Sequence, residues 1–213
     1  MIPREITGGV DLVGQTVVKT SDGQAVAIPQ APGPPIIYLT LLTSLFMHGG
    51  YAHIIGNMLY LYIFGDNVEH RFGHLPFLVF YLLAGLAGNI AQIVLDPTGM
   101  IPNLGASGAI AGVMGAYLVL FPRNRVNVIF LYTIVSMPAL AVLGVWILGQ
   151  MFSTYGSIMT NSTATGGVAY AAHVAGFAAG VFAALIWRPL IPTEPDSVLR
   201  RQYERDPRAK RLW

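Results

Sequence analysis

Ser107 stands in the segment Gly105-Ala106-Ser107-Gly108, where an irregular Gly/Pro-rich stretch gives way to an apolar helix. A serine at such a junction lies near a helix N-terminus, among backbone N–H groups with no intrahelical partner, where developing negative charge is stabilised. The chemistry that suits this setting is acyl transfer with serine as nucleophile. Further along, His173 lies alone in the small-residue run Ala171-Ala172-His173-Val174-Ala175-Gly176, a general base within an apolar segment. Serine hydrolysis also needs donors aimed at the oxyanion. His53 and Asn57 are the candidates, because residues i and i+4 share one helix face. Polar side chains in a membrane span face the bundle interior or a cavity, so on spacing alone the same two residues fit interhelical hydrogen bonding better than a catalytic role.

A third, acidic group usually orients the base of such a pair. The ten acidic residues here all fall at ends, loops or tails, so the pattern predicts a Ser-His dyad. The chain has no cysteine, which removes disulfides, thiolate metal sites and a cysteine nucleophile. His48, His53 and His173 lack the HExxH-like spacing and the carboxylate of a zinc site, and neither a metal nor another cofactor is expected. His70 and His74 read as solvated loop residues.

The elements that must position these groups follow from composition. With 54% hydrophobic and 10% charged residues, the chain departs from the soluble balance of about a quarter charged. Apolar runs lie near 36–64, 75–95, 109–121, 126–148 and 168–187, against the roughly 20 residues a spanning helix needs. These predict an all-α polytopic membrane protein with about five transmembrane helices in one lipid-embedded bundle. The runs do not alternate, which argues against a transmembrane barrel. Residues 1–35 read as an external polar segment with a hairpin turning at Asp22-Gly23, residues 36–188 as the membrane domain, and residues 189–213 as a charged tail. No basic region followed by an apolar one opens the chain, so no cleavable signal peptide is expected. The net charge of +2 does not imply nucleic acid, because the positive charge is distributed by membrane side. Arg71, Arg123, Arg125, Arg188 and the basic tail fall on one side, Arg4 and Lys19 on the other. The positive-inside rule then places the N-terminus outside and the C-terminus in the cytoplasm. Asn161-Ser162-Thr163 is a glycosylation sequon, a triplet that chance produces often.

The helix that follows Ser107 is short. From Gly108 to Phe121 at about 1.5 Å per residue it spans roughly 21 Å, against a hydrocarbon core of about 30 Å. It is expected to begin below the outer surface, and irregular backbone at that depth is tolerated only inside protein or beside a water-filled cavity. A wet pocket with Ser107 at its floor follows. Small residues recur at four-residue spacing in both relevant helices: Gly108, Gly112 and Ala116 in one, Ala172, Gly176 and Gly180 in the other. Such faces allow close helix approach, which would bring Ser107 and His173 together.

These motifs, taken in order, resemble those of the rhomboid intramembrane serine proteases. The resemblance runs from about residue 38 to 188. It includes His48-Gly49-Gly50-Tyr51-Ala52-His53-Ile54-Ile55-Gly56-Asn57, then Gly65 and Gly73 with Glu69 between them, then Gly105-Ala106-Ser107-Gly108, then Ala172-His173-Val174-Ala175-Gly176. It implies Ser107 as nucleophile, His173 as general base, and His53, Asn57 and the Ser107 N–H as the oxyanion hole. The implied substrates are membrane-anchored proteins whose helix unwinds near the outer surface. They would enter past the apolar segment 126–148, which contains Pro138, and the loop 150–167. The implied location is a bacterial plasma membrane.

The chain departs from the pattern in three places. It begins in what resembles the loop after the first of six core helices, the Trp-Arg pair often found in that loop is not visible before Thr43, and Ala111 stands where some relatives have an aromatic residue stacked on the histidine. The competing reading is therefore a catalytically inactive relative that binds or escorts membrane proteins. A transporter is disfavoured because no span carries a charged residue for an ion pathway and no inverted repeat is evident.

Overall fold

In the computed structural model, residues 1–19, 25–160 and 169–190 are described. Among these residues five helices form the bundle: α3 (Tyr51–Phe72), α4 (His74–Leu95), α5 (Ser107–Leu120), α6 (Ala139–Thr160) and α7 (Tyr170–Trp187). Ahead of them lie α1 (Pro3–Gly8), the antiparallel pair β1 (Gly14–Lys19) and β2 (Ala25–Gln30), and a broken helical segment. That segment joins Ile37–Leu39, α2 (Thr40–Thr43) and Ser44–Phe46, in place of a continuous span. The expected turn at Asp22-Gly23, the sequon at Asn161 and the tail from residue 191 lie outside the described residues.

The chain is an all-α polytopic membrane protein. Helices at 74–95, 139–159 and 170–190 are long and apolar enough to cross a membrane, and Ser107–Leu120 is a shorter apolar helix. The outward side chains of the bundle are themselves apolar, among them Tyr62, Leu83, Val94, Phe152 and Phe182, as lipid-facing surfaces require. His74 opens α4 with its ring exposed, 2.7 Å from the Glu69 carboxylate.

Helix α5 is the centre of the bundle, with every residue from Gly108 to Tyr117 buried. It is apolar all round, the pattern of a helix enclosed by others, and it packs on α7, α4 and α3. The two small-residue faces meet along α5 and α7. A Cβ on Gly176 would overlap the Gly108 carbonyl oxygen, and one on Gly180 the Gly112 carbonyl oxygen, so the backbones touch directly. At the other end of α5, Tyr117 packs edge-on against Phe64 with ring centroids 5.0 Å apart, which ties α3 to the same core.

The expected span at 126–148 is not a single helix. Its first part is an antiparallel hairpin, β3 (Arg125–Phe130) and β4 (Thr133–Pro138), in the register Arg125↔Pro138 to Phe130↔Thr133. Leu131 and Tyr132 turn it, both at positive φ (45° and 68°), the backbone hand of a two-residue hairpin turn. The physical reason lies in the composition of the run. Val126, Val128, Thr133, Ile134 and Val135 are β-branched, and an uninterrupted apolar stretch looks the same to a hydropathy reading whether helix or strand. Pro138 therefore precedes α6 and does not interrupt it. The expected loop at 150–167 is likewise helical as far as Thr160.

Candidate active site

The chain segment that delivers Ser107 is tied down on two sides. Gly105 N–H donates to the Ser44 carbonyl at 2.9 Å. Asn103 Nδ2 donates to Asn89 Oδ1 at 2.9 Å, and buried Asn89 in turn donates to the Leu41 carbonyl at 2.7 Å and to Ser44 Oγ at 3.1 Å. On the other side the N-terminal segment pairs with the same loop: Asn103 N–H donates to the Met1 carbonyl at 2.8 Å, and the Met1 ammonium to the Asn103 carbonyl at 2.9 Å. Burial pushes that ammonium below its ordinary pKa, with the Glu5 carboxylate opposing the shift. Satisfied backbone groups at this depth are what irregular chain within a bundle demands.

Gly105 is required at its position twice over. Its φ is +122°, a conformation that side chains disfavour, and a Cβ there would fall 2.8 Å from His53 Cε1 and Nε2. Ser107 then opens α5. His173 sits in the first turn of α7, and the glycine seam sets the two side by side: His173 Nε2 lies 2.8 Å from Ser107 Oγ.

The other imidazole nitrogen, Nδ1, lies 2.7 Å from Gln150 Oε1. An amide oxygen only accepts, so Nδ1 carries the hydrogen and Nε2 presents its lone pair to the serine hydroxyl. The ring of Trp146, one turn before Gln150 on α6, lies against the His173 ring with centroids 5.8 Å apart and planes at 36°. Where Ala111 lacks an aromatic group, α6 provides one.

His53 and Asn57 face the same place from α3. Gly49 N–H donates to His53 Nδ1 at 3.3 Å, which leaves the hydrogen of a neutral ring on Nε2. His48 packs edge-on against His53 at 5.2 Å. Asn57 is 7% exposed, and its Nδ2 has no hydrogen-bond partner among the described residues. His53, Asn57, Ser107, Met114, Trp146 and His173 all line one cavity of about 450 Å³. Among the described residues no group of three His, Cys, Asp or Glu side chains is placed to hold a metal ion.

All four residues singled out from the sequence are therefore neighbours around this cavity. Gln150 and Trp146 were not singled out. Their signal is a polar residue in an apolar run with an aromatic residue four positions before it, masked because a helix over 126–148 would end before Gln150 and leave it in a loop. A rhomboid domain family model matches residues 37–190 of this chain. The chain belongs to the rhomboid family.

Among its relatives, the rhomboid protease GluP of Bacillus subtilis (strain 168) is 45% identical over 85 residues, 40% of this rhomboid and 16% of that protein. RHOMBOID-like protein 12, mitochondrial, of Arabidopsis thaliana is 29% identical over 164 residues, 70% of this chain and 45% of its own. The presenilin-associated rhomboid-like protein, mitochondrial, of Mus musculus is 34% identical over 102 residues, 47% of this chain and 27% of its own. This rhomboid thus spans less than half the length of each of these three relatives. Family membership supports an intramembrane protease or a rhomboid-like function in a bilayer.

Proposed function

We propose that this rhomboid is an intramembrane serine endopeptidase that cleaves membrane-anchored proteins near the outer membrane surface by a Ser107-His173 dyad. The observation that carries the reading is the 2.8 Å approach of His173 Nε2 to Ser107 Oγ in a cavity shared with His53 and Asn57. In the proposed reaction, Nε2 takes the Ser107 hydroxyl proton as Oγ adds to the scissile carbonyl carbon. The oxyanion accepts hydrogen bonds from Asn57 Nδ2, His53 Nε2 and the Ser107 backbone N–H, each fixed before the reaction begins. The buried Asn57 Nδ2, which has no hydrogen-bond partner among the described residues, supports this role, because an oxyanion would satisfy a donor that is otherwise costly to bury. The imidazolium then protonates the leaving amine, the acyl-enzyme forms, and water activated by the same histidine releases the product. No cofactor enters.

The substrate class and its entry past α6 rest on family analogy. The distribution of arginines supports an N-terminus outside and a C-terminus in the cytoplasm, and the Bacillus relative favours a bacterial plasma membrane. A second reading, a rhomboid-like protein that binds or escorts membrane proteins without cleaving them, is favoured by relatives named rhomboid-like.

Labelling of the purified protein in lipid by a fluorophosphonate probe separates the two readings. The protease reading expects labelling that Ser107→Ala and His173→Ala each abolish. A folded wild-type protein that stays unlabelled overturns it in favour of the binding reading.

A further inference from the structure

We infer that Gln150 is a positioning residue for His173, a neutral amide in the place where serine hydrolases more often set a carboxylate, and that it makes assembly of the base depend on the placement of α6. The inference rests on the Ser107-His173 reading above. The two nitrogens of a neutral imidazole are coupled, since the one that carries the hydrogen decides what the other can do. Gln150 Oε1, 2.7 Å from Nδ1, can only accept. Without that acceptor the hydrogen is free to sit on Nε2, where it would be donated to Ser107 Oγ, the wrong direction for removing the serine proton. A glutamine does this without burying an anion in an apolar bundle, a large cost for any carboxylate there. What it gives up is electrostatic stabilisation of the imidazolium.

The second observation is where the support comes from. Trp146 and Gln150 are i and i+4 on one face of α6, so the ring contact and the hydrogen bond to His173 belong to a single helix. Helix α6 makes its bundle contacts with α7 and, to a smaller extent, with α5. Most of its large apolar side chains, including Val145, Leu148, Met151 and Phe152, are exposed. A displacement of α6 away from α7 removes both supports together while leaving Ser107 and the α5–α7 seam in place. The dyad is then competent when α6 is seated and disengaged when it is not.

The test uses the full chain in lipid bilayers and compares wild type with Gln150→Leu and Gln150→Glu. Two readouts are taken: the saturating rate of fluorophosphonate labelling, and the ¹⁵N spectrum of labelled histidine, with His173→Ala identifying the signals of that ring. Loss of tautomer control in serine hydrolases costs up to about 10⁴-fold, and an uncharged orienting group is expected to account for about 10- to 100-fold of it. Gln150→Leu should therefore lower the saturating rate by about 10- to 100-fold, with the half-saturating probe concentration unchanged. It should also remove the Nδ1–H signature of His173. Gln150→Glu, which keeps an acceptor in place, should recover both.

Wild-type labelling and an unchanged tautomer in Gln150→Leu overturn the inference. Should wild type itself fail to label, the protease reading falls and the tautomer comparison decides alone: a change in Gln150→Leu supports Gln150 as the positioning residue, and no change overturns it. If Gln150→Leu does not yield folded protein, Gln150→Met, closer in length, is read by the same criteria.

Discussion

The seam between α5 and α7 and the contact between α6 and α7 converge on the same histidine, and they are built from opposite materials. Along the seam, backbone meets backbone, with Gly176 and Gly180 against the carbonyls of Gly108 and Gly112. Along α6, contact is made by long side chains, Trp146 and Gln150, while glycines on the same helix face open space: a Cβ on Gly144 or Gly149 would meet nothing within 4 Å. Close backbone packing leaves no room for adjustment and sets where the Cα atoms of Ser107 and His173 lie. A contact through rotatable side chains sets the orientation and tautomer of the ring and can be released without unpacking the core. Position and orientation of the base are thus held by different parts of the molecule.

The sharpest way to break this contrast is to add one methyl group on each side. Gly180→Ala should cost more than about 3 kcal/mol, because the new Cβ meets backbone and not a yielding side chain; thermal unfolding of the purified protein in detergent checks it. Next in size is Gly105→Ala, which places a side chain at φ +122° against the His53 ring. Strain of this kind costs about 1–3 kcal/mol, and displacement of His53 should lower the fluorophosphonate labelling rate well beyond what the stability loss explains. Trp146→Ala should remove about 1 kcal/mol of aromatic contact beyond the area it buries and slow labelling about tenfold, a change of about 1.4 kcal/mol in the barrier, with the unfolding transition moved less than in Gly180→Ala. The smallest effect is expected at Gly144→Ala, within about 0.5 kcal/mol of wild type or slightly stabilising, since it fills no occupied space and favours helix. A Gly144→Ala variant as damaged as Gly180→Ala would show that α6 is packed as tightly as the seam.

Much of the bundle was legible because its signals are local. The 14-residue helix after Ser107, the four-residue repeat of small side chains on α5 and α7, and the pairing of His53 with Asn57 on α3 all follow from helical periodicity, which a sequence displays directly. The stretch from Arg125 to Gln150 was not legible in the same way. An apolar, β-branched run is compatible with a buried helix or a strand, and taking it as helix shifted the next element. Helix α6 begins at Ala139, after Pro138, and extends to Thr160, which puts Gln150 on a helix face one turn from Trp146 and not in the expected loop.

The sequence by itself determined the membrane class of this protein, the residue types of its candidate site and the helices that carry them, because hydropathy, helix period and side-chain chemistry are properties of short stretches of chain. The tertiary structure decided the partner of His173 Nδ1. An acidic orienting group could be excluded from the positions of the carboxylates, but the neutral amide that takes its place comes from a helix 23 residues away in the chain. Its approach depends on how α6 leans on α7, a matter of packing that no local pattern encodes.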